Sequence, residues 1–244
     1  MVEGGLYSSY IANCVVNVWT VHTAIMLNSV TIHAMRKTST LPKPLKTLLL
    51  SLAVSDLGVG SLVQPLYILR LVVELEPNAE NNPAYTATYI PYLITANLFG
   101  FASFFGVMAL SVDRFLAIHL HLRYQELVTH KHVFAVVISV WAFSAVLSLV
   151  RLWIPLNIIF PIFAFIEVAC VITAAFLNYR IFVAVRRHVN QTVQALQVQQ
   201  IAQNEEVVNV GRLRKSATGP LQFTYILCFW SATCQTFVIC VLPY

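Results

Sequence analysis

An aspartate and an arginine stand side by side at Asp113-Arg114, followed by Phe115, near the end of a long apolar run. A carboxylate beside a guanidinium at a membrane edge can form a locked pair, in which the charged hydrogen bonds hold until a better partner is offered. That is the chemistry of a switch. Two more polar residues, Asn28 and Asp56, fall in the middle of other apolar runs, Asp56 within Leu50-Ser51-Leu52-Ala53-Val54-Ser55-Asp56-Leu57. Polar groups at such positions are costly in lipid, so each asks for a reason. Two reasons stay open: a hydrogen bond between helices that packs the bundle, or a buried, ion-linked carboxylate. No metal-ligand spacing and no nucleophile–base constellation stands out, which speaks against an enzyme. His22 and His33, on one apolar run, read as packing residues. Cys14, Cys170, Cys228, Cys234 and Cys240 all lie inside apolar runs and read as small buried hydrophobes, with no loop disulfide.

The elements that carry these residues are set by composition. The chain of 244 residues is 58% hydrophobic and only 10% charged, with a mean hydropathy of +0.74; a soluble domain carries about 25% charged residues. It cannot cover its own surface with polar groups, so most of its solvent is lipid. Apolar runs of the roughly 20 residues needed to cross a bilayer recur at about 10–34, 45–70, 87–118, 132–154, 158–186 and 220–244. No cleavable signal pattern precedes the first run. Thirteen of the fifteen Lys and Arg fall on one side of these spans, Arg70 and Arg151 being the other two. The positive-inside rule then puts that side in the cytosol and the N-terminus outside. The net charge of +5 is an insertion signal and does not point to nucleic acid. Apolar residues at helical spacing from Val189 to Ile201 extend the fifth span into the cytosol as a helix. Pro155 and Pro161 bracket a very short loop after span four. Asn190-Gln191-Thr192 fits a glycosylation pattern but lies on the cytosolic side.

Five landmarks now occur in order: the helix-one Asn28, the helix-two Leu-Ala-x-x-Asp ending at Asp56, the Asp113-Arg114-aromatic, Trp141 in span four, and Phe237 with Cys240-x-x-Pro243 in span six. Together they resemble the rhodopsin-like (class A) G-protein-coupled receptors across the whole chain. The resemblance implies an all-α membrane protein, a rhodopsin-like helix bundle with six of its seven helices present in residues 1–244. Asp113 to Ile118, Leu122-Arg123-Tyr124 and the Arg180 to Arg187 end of span five look like adenosine receptors. The short loop after span four, and Cys170 where a fifth-helix proline is usual, look more like melanocortin receptors.

This family implies a plasma-membrane receptor that takes a small extracellular ligand and signals to a heterotrimeric G protein. Arg114 is then the switch residue, held by Asp113, with Phe115 keeping the ring but not the hydroxyl of the usual Tyr. Asp56 with Ser103 is expected to form part of a sodium pocket, sodium being the one cofactor the resemblance suggests. Ala96 stands where amine receptors carry Asp, which disfavours a biogenic amine; Asn97 and Glu167 are the nearest polar candidates for ligand contact, Glu167 being equally able to snorkel or pair with a neighbouring helix. Several positions depart from the family pattern: His121 for Pro, Val241 for the helix-six Trp, Tyr89 for the disulfide Cys, and Asn178-Tyr179 with the fifth-helix Tyr displaced by one. The Asn-Pro-x-x-Tyr of helix seven is missing. The rival readings are a truncated, non-signalling receptor fragment and a transporter or channel bundle, the latter predicting an internal repeat that is not seen. The missing helix leads to the expectation that this chain, expressed alone, is retained and degraded.

Overall fold

The computed structural model describes residues 2–39, 41–75, 82–120 and 124–203, and these are almost wholly helical. Helix α1 runs Val2–Lys37, α2 Lys43–Gly58, α3 Gln64–Glu74, α4 Pro83–Leu120, α5 Tyr124–Leu127, α6 His130–Trp153 and α7 Leu156–Gln203. A π turn, Val59–Val63, joins α2 to α3, so that the two form one span from Lys43 to Glu74. Among the described residues, five helices are long and apolar enough to cross a membrane: Tyr10–Lys37, Lys43–Glu74, Pro83–Leu120, His130–Trp153 and Pro161–Gln194. Even the shortest, 24 residues, is about 36 Å long at 1.5 Å per residue, enough for the roughly 30 Å of hydrocarbon. The protein is a multi-pass membrane protein. The sixth apolar run, 220–244, lies outside the described residues, as do Phe237, Pro243 and the cysteines at 228, 234 and 240.

The helix ends follow local chemistry. Arg36 and Lys37 sit in the last turn of α1, where the negative end of the helix dipole favours cations. Lys46 reaches across the turn and donates from Nζ to the Thr38 carbonyl at 3.2 Å. Pro42 caps α2 and Pro44 lies in its first turn, where a missing N–H costs nothing. Thr129 caps α6 by accepting from the His132 amide. The link between α6 and α7 is only Ile154-Pro155. Pro161, expected to close that loop, instead lies inside α7. The Pro155 carbonyl already accepts from the Ile158 and Ile159 amides, so the helix has restarted before Pro161 is reached. Helix α7 continues to Gln203, as the apolar spacing beyond Val189 predicts.

The chain divides into two compact units, residues 1–110 with 128–166, and residues 111–127 with 167–244. In the first, the core is built where α2, α3 and α4 present Leu48, Leu52, Tyr67, Leu71, Tyr92 and Phe101. Trp19, Trp153 and Phe165 are instead largely exposed, an arrangement suited to lipid and unsuited to water. In the second unit, Ile181 of α7 is buried and Asp113 of α4 is the buried charge among the described residues.

Candidate functional site

In the second unit, the site is built around Asp113, only 5% exposed. Neighbouring positions on a helix diverge by about 100°, so a short Asp and an adjacent side chain do not ordinarily meet. The long Arg114 stem curls back and grips Asp113 Oδ2 through both Nε, at 3.0 Å, and Nη2. The other carboxylate oxygen, Oδ1, accepts from the Tyr124 hydroxyl at 2.7 Å. The four-residue helix α5 places that tyrosine. Burial, then the hydrogen bond to Asp113 and its negative charge, push the Tyr124 phenol up to about 12. It therefore stays a donor throughout the physiological range. Phe115 stands apart from this set: its ring packs on His119, with centroids 3.9 Å apart. The pair was visible in sequence as adjacent charges. Tyr124 was quoted only for its likeness to adenosine receptors, and nothing in its spacing marks it as a partner of Asp113.

In the first unit a second polar cluster joins α2 to α4. Ser103 Oγ lies 2.7 Å from Asp56 Oδ1 and 2.8 Å from Ser55 Oγ. One hydroxyl has one proton, so it cannot donate to both; the charged acceptor wins, since such bonds are about twice as strong as neutral ones. Ser55 Oγ in turn lies 2.8 Å from the Leu52 carbonyl and spends its proton there or on Ser103. Three hard oxygen ligands thus converge, of the type suited to an alkali or alkaline-earth cation. One α-turn before Ser55, Ser51 Oγ accepts from Trp141 Nε1 of α6 at 3.0 Å, and Phe99 meets the Trp141 ring edge-on at 6.0 Å. Ser55 and Ser51 were not singled out from sequence, because small hydroxyls in an apolar run are usually satisfied by their own helix.

The remaining candidates are dispersed. Asn28 Nδ2 donates to the Ala24 carbonyl of its own helix at 2.9 Å. Asn97 Nδ2 does the same to Leu93, at 2.7 Å. Glu167, half-buried on α7, has no hydrogen-bond or ion-pair partner among the described residues. A further polar group escaped the sequence reading: Arg70 Nε donates to Glu74 at 2.8 Å, and its guanidinium lies over the Tyr89 and Tyr92 rings at 4.9 and 5.6 Å. Arg70 was read only as one of two basic residues on the minority side.

The model of the 7 transmembrane receptor (rhodopsin family) matches residues 27–157, just over half of the chain. The matched stretch includes Asn28, Asp56, Ser103, Asp113, Arg114 and Trp141. The chain belongs to that family. The rhodopsin-like helix bundle is thus its fold, and a receptor family, without enzymatic chemistry, is its setting. One similar protein is the adenosine receptor A2b of Gallus gallus, 30% identical over 114 residues, which are 47% of this chain and 31% of the relative. The match therefore spans about a third of that relative's length.

Proposed function

We propose that this rhodopsin-family chain is a plasma-membrane receptor with its N-terminus outside, transducing a small extracellular ligand to a heterotrimeric G protein through Arg114. The observation that carries this reading is the locked carboxylate: both oxygens of a buried Asp113 are occupied, one by Arg114 and one by Tyr124. An arginine at a helix end needs no such restraint for packing. It needs one if its guanidinium, 29% exposed, is to be kept from another acceptor until the helices rearrange. The transition is a population shift, so the ligand must bind the released state more tightly than the locked one. Asp56, Ser55 and Ser103 would hold a sodium ion, whose positive charge would neutralise the carboxylate when bound. The likeness to an adenosine receptor makes nucleosides the first ligand class to try, with Asn97 and Glu167 each a contact candidate.

The test is nucleotide exchange on a purified G protein in membranes carrying the receptor. Arg114→Ala should abolish exchange at an unchanged amount of receptor in those membranes. Tyr124→Phe removes one hydrogen bond to a charged group, about 1.5–3 kcal/mol, and should raise ligand-free exchange roughly tenfold or more. Normal exchange in Arg114→Ala would end the switch assignment.

A further inference from the structure

In the first unit, α1 packs through one side. Asn13 Nδ2 donates to the Tyr67 hydroxyl of α3 at 3.0 Å, Asn17 is buried, and Thr20 Oγ1 accepts from Gln64 Nε2 at 2.9 Å. One turn further along, a Cβ built at Gly60 would lie 3.2 Å from the Ala24 Cβ. Two positions beyond each of these α1 residues stand Val15, Trp19, His22 and Met26, about 200° round the helix and so on its opposite side. Val15, Trp19 and Met26 are 63%, 73% and 66% exposed. His22, Ser29 and His33 are exposed as well. The two histidines, which the sequence suggests are packing residues, therefore do not pack against the described chain.

Such a face is unlike an ordinary lipid-facing one. His22 lies twelve residues from Tyr10 and fifteen from Lys37, the two ends of the span. At 1.5 Å per residue these distances are about 18 and 22 Å, too far for its short side chain to reach either headgroup layer. Its Nδ1 lies 2.8 Å from the Val18 carbonyl, which can only accept, so the neutral ring carries its proton on Nδ1 and offers Nε2 as an acceptor. Polar side chains at this depth ordinarily turn towards protein, where a second helix can hydrogen-bond them. The spacing says what kind of helix that is. Val15, Trp19, His22, Met26, Ser29 and His33 follow one another by four, three, four, three and four residues, the alternation of a coiled-coil seam. A seam held in step from Val15 to His33 presents matching layers to an identical helix running parallel to it. Two copies of one chain insert with the same orientation, so a closed pair meets about a two-fold axis along the membrane normal, like layer on like.

We infer that this side of α1 is a homodimer interface within the membrane, its occupant being α1 of a second copy of this chain. About the two-fold axis Trp19 packs on its counterpart. His22 faces its counterpart, and two imidazoles of opposite tautomer share one N–H···N bond. Ser29 does the same through its hydroxyl, one copy donating to the other. The interface requires that α1 span the membrane and takes nothing from the assignments of Arg114, ligand or G protein.

The test uses the purified chain in phosphatidylcholine vesicles. Energy transfer between donor- and acceptor-labelled copies, diluted stepwise with lipid, reads the association constant. His22→Ala/Ser29→Ala removes both polar layers from an exposed face and should lower that constant on the order of tenfold, given the usual strength of interhelical hydrogen bonds in lipid. Wild-type transfer no greater than chance proximity, or a constant that the double variant leaves unchanged, would overturn the interface. Cross-linking reads the geometry separately. With Cys14, Cys170, Cys228, Cys234 and Cys240 replaced by Ala, Ser29→Cys should give a disulfide-linked dimer on mild oxidation. Thr31→Cys, seven residues on from Ala24 and so on the side facing α3, should give little. Equal dimer bands from the two, or none from Ser29→Cys, would also overturn the proposal. In the second case the face belongs to lipid, to another part of this chain or to the helix of a different protein. Should the double variant not fold, cross-linking of the near-isosteric Ser29→Cys decides.

Discussion

Gly58 offers a direct test of how α2 is set against α4. A Cβ built there would lie 2.2, 2.4 and 2.7 Å from Phe99 Cε1, Cδ1 and Cζ, whereas carbon atoms pack at about 3.5–4.0 Å. The ring would have to retreat by more than an ångström. Behind it stands Trp141, in edge contact with Phe99 and itself pinned by its bond to Ser51. Overpacking of this kind costs about 1–3 kcal/mol. Against it stands the helix-propensity gain of Gly→Ala, about 1 kcal/mol. Gly100, on α4, has nothing within 4 Å of its would-be Cβ, so Gly100→Ala collects the gain without the clash. The two substitutions should therefore differ by about 1–3 kcal/mol, which in a chain of this size is on the order of 2–12 °C in melting temperature. Thermal unfolding in micelles, followed by helical circular dichroism, reads this gap. Phe99→Ala should cost less in the Gly58→Ala background than alone, a coupling expected only for groups in contact. If Gly58→Ala proved as stable as Gly100→Ala, the close packing of α2 on Phe99 and Trp141 would be wrong.

Other consequences can be checked separately. Epitope tags at residue 2 and near Gln197 should be stained in intact and only in permeabilised cells respectively; the reverse would invert the topology and defeat the receptor reading. A tyrosinate absorbance titration of wild type minus Tyr124→Phe should show a midpoint near 12, not the ordinary value near 10. The raised value means that the Tyr124–Asp113 bond contributes fully below pH 10 and is lost only as pH rises through about 12, so stability between pH 6 and 9 should not depend on it. Ser51→Ala should destabilise the chain by about 1 kcal/mol through the orphaned Trp141 N–H, and an unchanged melting temperature would mean that the indole has another acceptor.

The described spans lie within a few residues of those read from the apolar runs, because lipid as solvent demands long uninterrupted helices and leaves little choice of register. What composition cannot supply is pairing. Asp113 and Arg114 declared themselves by adjacency, but the second oxygen of Asp113 goes to Tyr124 on a separate short helix, and no periodicity connects them. Asp56 stood out as a charge in an apolar run, while Ser103 became a candidate through the family resemblance alone; Ser55, the third oxygen, looked like an ordinary small residue. Asn97 illustrates the opposite limit. Its residue type is right for ligand contact, yet one of its two amide N–H groups goes to the Leu93 carbonyl of its own helix, a choice that depends on rotamer rather than on sequence position, while its second N–H and Oδ1 remain for other partners. The expectations placed on residues 204–244 lie outside the described residues.

The π turn explains why the polar residues of α3 were the hardest to foresee. Pro65 has no N–H for the Ser61 carbonyl, and its ring crowds that oxygen. The turn of Val59–Val63 widens just before it, while the Ser61 hydroxyl folds back onto the Leu57 carbonyl at 2.7 Å. A π turn absorbs one residue more than an α turn, which rotates everything beyond it by up to about 100° relative to a continuous α-helix. Counting 3.6 residues per turn onward from Leu52 puts Leu66 on the buried face. The structure puts Tyr67 there, 1% exposed, with Gln64 one turn before it. Pattern reading with an α period therefore sees an apolar helix with polar residues to spare at its edges. The widened turn moves those same residues inward, where Tyr67 meets Asn13 and Tyr92, Gln64 meets Thr20, and Arg70 closes over Tyr89. One proline and one extra residue thus turn polar side chains of what would otherwise be a lipid-type helix towards α1 and α4.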